Sequence, residues 1–261
     1  MPNFHNLLIQ QLGPSNIETI MQVERECWAA EWCVTLDAMN SRFKIFPEGV
    51  LGVLNSGDLM GFSTSMILDD LFTNMEPEDY GVYNWNKATN YGYIRNHNPN
   101  GQILYIVSVA AKKYGRLLVQ AQCDLAIRKK LSKVILCSRV PEFAKYYAYK
   151  YNANYKEIKL LVKKCNDINT IANELGINVL KEIQQYIKLK RKDDIQFCEM
   201  YGKSLKTPDD MELPLDSLLC FYELCGFSIL HLLPHGADGS DPDSFNIGVM
   251  LVKNLTVVRC D

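Results

Sequence analysis

The sequence predicts an α+β protein: a mixed central β-sheet flanked by helices, with a helical insertion before the last helix–strand unit. Three observations carry this reading. Ile103–Ala110 (ILYIVSVA) is a nearly continuous β-rich run, the pattern of a central strand buried on both faces. Around it, extended and helical patterns follow the order β-α-α-β-β-β-α-β-α-β-β, which calls for helices on both sides of one sheet. A mostly helical stretch at about 142–215 interrupts that order once. The expected organisation is a single domain over 1–261.

Each element has a local reason. Leu7–Leu12 alternates weakly and stops at Gly13-Pro14, as an edge strand does. Ser15 or Asn16 caps a helix in which Ile17, Ile20, Met21, Val23, Glu24 and Trp28 repeat at helical spacing. A second short helix begins near Thr35 and runs through Met39 and Phe43 to Pro47. Gly49–Leu54 and Leu59–Leu68 flank Asn55-Ser-Gly-Asp58, which makes a β-hairpin. Residues 69–101 are rich in Asp, Asn, Gly, Pro and Tyr with no sustained period, and so long an irregular stretch is usually functional. The central strand leads through Lys112-Lys-Tyr-Gly115 into a helix over Arg116–Leu131, then a buried strand over Lys133–Arg139. The basic run Lys188–Lys192 reads as a solvated helix end. Asp216–Leu224 is a helix stopped by Gly226, and Phe227–Leu233 and Phe245–Val252 are strands flanking the loop Pro234–Ser244.

Composition narrows the function. The 28 basic and 30 acidic residues give a net charge of −2, which argues against nucleic acid as a main partner, because neutralising phosphates needs a basic surplus. The opening MPNFHNLLIQQLGPS lacks the basic and apolar regions of a signal peptide, and no apolar run approaches the ~20 residues of a membrane helix. A soluble cytoplasmic protein with no membrane partner is expected. The nine cysteines include no C-x-x-C pair and there are four histidines, so reduced thiols and no metal are expected.

Four stretches resemble the GNAT superfamily of acyltransferases. LYIVSVA (104–110) followed by GRLLVQAQCDLA (115–126) is similar to that fold's coenzyme-A-binding strand, phosphate loop and helix. CFYELCGF (220–227) is similar to the family's Phe-Tyr-Glu-x-x-Gly-Phe helix ending. WNKATNYGYIRNHNPNGQILY (85–105) and DPDSFNIGVML (241–251) resemble a larger-bodied subgroup with members in natural-product assembly. The resemblance implies an acyl donor, acyl-CoA or an acyl-carrier-protein thioester, and an amine acceptor on a peptide, amino acid or small molecule. It implies that strand amides of Val107, Ser108, Val109 and Ala110 pair with the pantetheine. The Lys112, Lys113, Gly115 and Arg116 loop and the following helix N-terminus would then take the pyrophosphate. By the same resemblance Tyr222 protonates the departing thiolate. Two departures stand out. The family's Arg/Gln-x-x-Gly-x-Gly/Ala loop is reduced to AAKKYGR (110–116) with one glycine, and no glutamate lies in Leu104–Ala110, where Tyr105 stands near the usual general base.

His97, just before the central strand, is a candidate to take the amine's proton or to orient the acyl carbonyl, against a plain loop role. Thr89 and Ser108 are candidates for polar contacts. Trp28 and Trp32, with Phe43 and Phe46, line an acyl pocket or pack the core; with the insertion they leave room for a fatty acyl group. Asp69-Asp70 and Asp238, Asp241 and Asp243 read as turn residues rather than metal ligands, and His231 and His235 as structural. Two alternatives stay open: a GNAT-type enzyme loading acyl groups onto a carrier-protein thiol, and a non-catalytic thioester-binding protein.

Overall fold

The computed structural model describes residues 7–165, 168–234 and 241–256. His5, His235, Asp238 and Cys260 fall outside them. Among the described residues seven strands lie in the order β1-β2-β3-β4-β5-β7-β6. They are β1 (Leu7–Gln11), β2 (Leu51–Asn55), β3 (Asp58–Leu68), β4 (Ile103–Ala111), β5 (Lys133–Ser138), β6 (Ser228–Pro234) and β7 (Ile247–Asn254). The sheet is mixed and flanked by helices, the α+β architecture expected. The chain divides into two compact units, Met1–Leu136 with Val252–Asp261, and Cys137–Leu251.

In the first unit β1 to β4 form an antiparallel meander, and β5 joins β4 in parallel. The β2–β3 turn puts Ser56 at φ 53° and Gly57 at φ 94°, the two left-handed residues of a tight two-residue hairpin. The helices are α1 (Ile17–Cys27), α2 (Leu36–Ile45), α3 (Trp85–Thr89) and α4 (Gly115–Arg128). Thr35 caps α2 by accepting from the Ala38 amide. Asn16 leads into α1 but turns its side chain back to the Gly13 amide. Residues 69–101, expected to be irregular, hold α3 and two 3-10 turns, Phe72–Asn74 and Pro77–Tyr83. Neighbouring strand residues point to opposite faces. Gln122 of α4 bonds Ser63 and Arg42 of α2 bonds Thr64, so α4 and α2 cover opposite faces of β3. On the α2 face Ile20, Val23, Met39, Phe43, Phe62 and Ala110 pack into one core.

The second unit is mainly helical: α5 (Phe143–Lys150), α6 (Tyr155–Lys164), α7 (Ile168–Leu175), α8 (Val179–Tyr186), α9 (Ile195–Met200), α10 (Pro208–Glu212) and α11 (Ser217–Glu223). Phe143, Tyr146, Tyr186 and Phe197 meet there in tilted and edge-to-face ring contacts. The basic run 188–192 departs from the solvated helix end expected of it. Arg191 is buried, donating to the Ser204 carbonyl and meeting Cys220 Sγ.

Candidate active site

The central strand is irregular where chemistry was expected. On β3, Thr64 pairs with Ser108 but its neighbour Ser65 pairs with Ile106, so Val107 is an extra, bulged residue on β4. Toward the other neighbour, β4 pairs with β5 only from Ile103 to Tyr105. Beyond that point, over Ile106–Ala111, the backbone amides and carbonyls facing β5 lie outside any ladder. Val107, Ser108, Val109 and Ala110 all fall in this stretch. Trp85 Nε1 donates to the Val107 carbonyl at 2.7 Å, which fixes the bulge from outside the sheet. Tyr105 is fully buried and donates its hydroxyl to the Tyr83 carbonyl at 2.9 Å, a structural post rather than a base.

The segment 84–97 is clamped beside the bulge. Asn84 caps α3 by accepting from the Lys87 amide. Thr89 Oγ1 donates to the Trp85 carbonyl and accepts from the Gly92 amide, at 2.6 and 2.8 Å, so its hydroxyl is committed to the backbone. Gly92 has φ +84°, and a Cβ there would come within 2.9 Å of Trp85 and 3.1 Å of Arg42 Nη2. His97 Nδ1 accepts from the Ile67 amide at 3.0 Å, and its ring stacks on Phe46 at 4.6 Å. That bond places the neutral ring's proton on Nε2, and burial holds its pKa below the ordinary value. A ring whose lone pair is already used does not serve as a base, although Nε2–H remains able to donate to a carbonyl.

Two charged residues absent from the sequence-derived candidates sit on the same side. Arg42 is 1% exposed. Its Nε donates to the Gly92 carbonyl at 2.9 Å and its Nη1 to Thr64 Oγ1 at 2.9 Å and Ser108 Oγ at 3.3 Å. Burial pushes the guanidinium down to about 10 against the opposing pull of Glu24. Glu24 is 2% exposed; Oε1 accepts from the Val34 amide at 3.0 Å, and Oε2 has no partner. Burial raises its carboxyl pKa, while the Val34 amide and Arg42 pull it back. A signal for Glu24 existed: it occupies an apolar-face position, four residues after Ile20 and four before Trp28.

At the C-terminal end of β4, Lys112 is drawn into an ion pair with Glu26 at 2.8 Å. Lys113 and Arg116 are exposed. Helix α4 starts at Gly115, after Tyr114 in the left-handed region (φ 65°), and no side chain caps it. The first amides of a 14-residue helix therefore point out of the sheet beside two cations, a suitable setting for an anion. Of the aromatic candidates, Trp28 packs against the core of α1 and α2, and Trp32 is half-buried in the 3-10 turn Ala30–Trp32.

Tyr222 belongs to the second unit. It lies on α11, buried between Phe221 and Phe227, and Gly226 (φ 85°) ends the helix as expected. Burial lifts its phenol well above the ordinary range, so it keeps its proton at any working pH. The aspartates of DPDS act on structure: Asp241 grips Arg139 through both oxygens, and Asp243 holds Tyr155 and Lys159. Asp70 pairs with Lys133, and Asp69 accepts from Asn98. Among the described residues no group of three or more His, Cys, Asp or Glu is placed to hold a metal.

No family model matches the chain. It is 27% identical over 198 residues to an uncharacterised N-acetyltransferase, YkwB, of Bacillus subtilis (strain 168), covering 72% of this chain and 84% of that protein. Among solved structures it resembles the loading GNATL domain of CurA from Lyngbya majuscula (TM-score 0.58, 13% identity, 95% of this chain and 97% of that one). It resembles equally the GphF GNAT-like decarboxylase solved with isobutyryl-CoA (TM-score 0.58, 14% identity, 95% and 100%). At such identity these two likenesses establish the fold.

Proposed function

We propose that the chain is a GNAT-superfamily enzyme that moves an acyl group from an acyl-CoA thioester to an amine. The observation that carries the proposal is the open edge of β4. Over Ile106–Ala111 the side of β4 turned toward β5 carries no ladder, so its amides are available to a pantetheine arm laid alongside, and α4 begins a few residues beyond them. In this reading Val107, Ser108, Val109 and Ala110 hold the arm. The α4 N-terminus, with Gly115, Lys113 and Arg116, holds the pyrophosphate, and Lys112 contributes only when its ion pair with Glu26 opens. His97 orients a carbonyl through Nε2–H, and Tyr222 supplies the proton taken by the thiolate. Trp28, Trp32 and Thr89 shape the site rather than touch the reacting atoms.

The amine attacks the thioester carbonyl, the C–N bond forms as the C–S bond breaks, and the thiol leaves with one of the nitrogen's protons or an equivalent one from Tyr222. Holding both reactants in register supplies much of the acceleration in such a transfer.

A second reading, loading of an acyl group onto a carrier-protein thiol, is favoured by the two neighbours that match over nearly the whole chain, the helical second unit included. One experiment separates the two. The protein is mixed with acetyl-, octanoyl- or palmitoyl-CoA and either a panel of amines or a phosphopantetheinylated carrier protein; free thiol and product mass are followed. Amide formation supports the proposal, whereas an acyl carrier protein as the product replaces it with the loading reading. Binding of acyl-CoA without any transfer would leave a thioester-binding protein. The same donor panel tests the fatty-acyl expectation, which a clear preference for acetyl removes.

A further inference from the structure

Arg42 and Glu24 are buried opposite charges that do not meet. Each feels the other electrostatically, yet no ion pair joins them. Arg42 spends Nε and Nη1 on Gly92, Thr64 and Ser108, and its Nη2 hydrogen-bonds to none of the described residues. Glu24 spends Oε1 on Val34, and Oε2 is an orphan at 2% residue exposure. A buried carboxylate oxygen without a donor is costly, and a cluster of this kind persists when something else completes it. What is missing is complementary: an acceptor for Nη2 and a donor for Oε2. The cluster also reaches the central strand, because Arg42 Nη1 and Thr64 Oγ1 both touch Ser108, the residue after the bulge.

We propose that Glu24 and Arg42 form the acceptor site of the acyl transfer and that the acceptor is an α-amino acid, its carboxylate on Arg42 Nη2 and its ammonium on Glu24 Oε2. The inference rests on the acyl-transfer reading above and names the substrate class. A zwitterion satisfies both open groups at once. A simple amine leaves the guanidinium short of an acceptor, and a dicarboxylic donor such as a malonyl thioester brings a second anion against Glu24. The arrangement also supplies what β4 lacks. The first proton of the ammonium passes to Glu24 Oε2. The freed amine attacks the thioester carbonyl, the C–N bond forms and the C–S bond breaks, and the second proton leaves on the thiol. No other co-reactant is needed.

The test uses the intact chain, with acetyl-CoA as donor and three matched series: the common L-amino acids, their decarboxylated amines and their deaminated acids, with malonate added. Thiol release and thermal shift are read separately. The expected result is that at least one amino acid stabilises the protein and is acylated on the order of 10²-fold more efficiently than its decarboxylated amine, since a site built to pair a charge rejects the analogue lacking it. Arg42→Lys should abolish that preference, whereas Glu24→Gln, which keeps size and the bond from Val34, should lower acylation of the amino acid and of its amine alike on the order of 10²-fold while the thermal shift from acetyl-CoA stays unchanged. Equal use of amine and amino acid, a preference that survives in Arg42→Lys, or undiminished acylation in Glu24→Gln overturns the proposal and leaves acyl transfer standing. Stabilisation by malonate and not by amino acids assigns the carboxylate to the donor. If acetyl-CoA gives no shift, the donor reading fails, and the amino-acid shift alone still decides the acceptor site.

Discussion

Two buried charged clusters, one in each unit, differ in a way that separates scaffold from site. In the second unit Asp216 is 1% exposed and all its capacity is used. Oδ1 accepts from the Leu218 and Leu219 amides at the start of α11, and Oδ2 from the Glu142 amide and the Tyr186 hydroxyl. Glu142 in turn is closed by Ser217 and by Lys203, whose side chain is 4% exposed. In the first unit Glu24 and Arg42 are as deeply buried, and each keeps an open group. A satisfied network specifies one packing; a half-satisfied one is worse than an apolar core unless a ligand completes it. The Asp216 cluster is therefore structural, and the Glu24–Arg42 cluster is the better place to look for chemistry.

The largest effect that sharpens this contrast is expected at Lys203. Lys203→Met takes the buried cation from a half-buried Glu142 and should cost about 2 kcal/mol of unfolding free energy, between the values for exposed and fully buried pairs. Glu24→Gln removes a charge that has no protein partner at one oxygen, and should lie within about 1 kcal/mol of the parent. Denaturant unfolding of both variants checks the pair, and a loss at Glu24 as large as at Lys203 would make both clusters structural.

A second effect concerns pH. Burial, aided by Glu142, raises the Asp216 carboxyl to about 6. Its folded value lies above its unfolded one, so its contribution to stability is fully present below about 4 and is lost as pH rises through 6. At most about 3 kcal/mol is involved, since a tenfold change in proton affinity is worth about 1.4 kcal/mol. Asp216→Asn keeps an oxygen to cap α11 and should flatten the stability profile between pH 4 and 6. An unchanged slope would place the titration elsewhere.

Much of this was legible in the sequence. The buried run of β4, the Asn55–Asp58 turn, the Thr35 cap and the Gly226 stop each gave an element its place, because those signals are local. The motif stretch 85–105 was also visible, but not its reason: Trp85 binds Val107 across 22 positions and Arg42 binds Gly92 across 50, and no local pattern reports such pairs. Charge in a sequence signals solvent, so Arg42 stands among no candidates and Arg191 falls within a run expected to be a solvated helix end, although both are buried. His97 and Thr89 are candidates by sequence, yet the structure commits His97 Nδ1 and the Thr89 hydroxyl to backbone groups, which a sequence does not disclose.

Tyr222→Phe should lower transfer by about 10²-fold while leaving donor affinity close to the parent's, the signature of a group acting only in the reaction. Steady-state rates beside a donor titration measure both, and an unchanged turnover removes Tyr222 from the mechanism. The smallest effect is expected at the phosphate end. Lys113→Ala with Arg116→Ala should weaken acyl-CoA by about tenfold, and adding Lys112→Ala should change little, because Lys112 is already paired with Glu26.

The central claim is that the open edge of β4 holds the donor, and amide hydrogen exchange reads that edge directly. Adding acetyl-CoA to the intact chain should slow exchange over Ile106–Ala111 and over the first turn of α4 from Gly115, with Leu8–Gln11 of β1 unchanged as the control. Protection confined to other segments, at concentrations where the thioester is bound, would contradict the account.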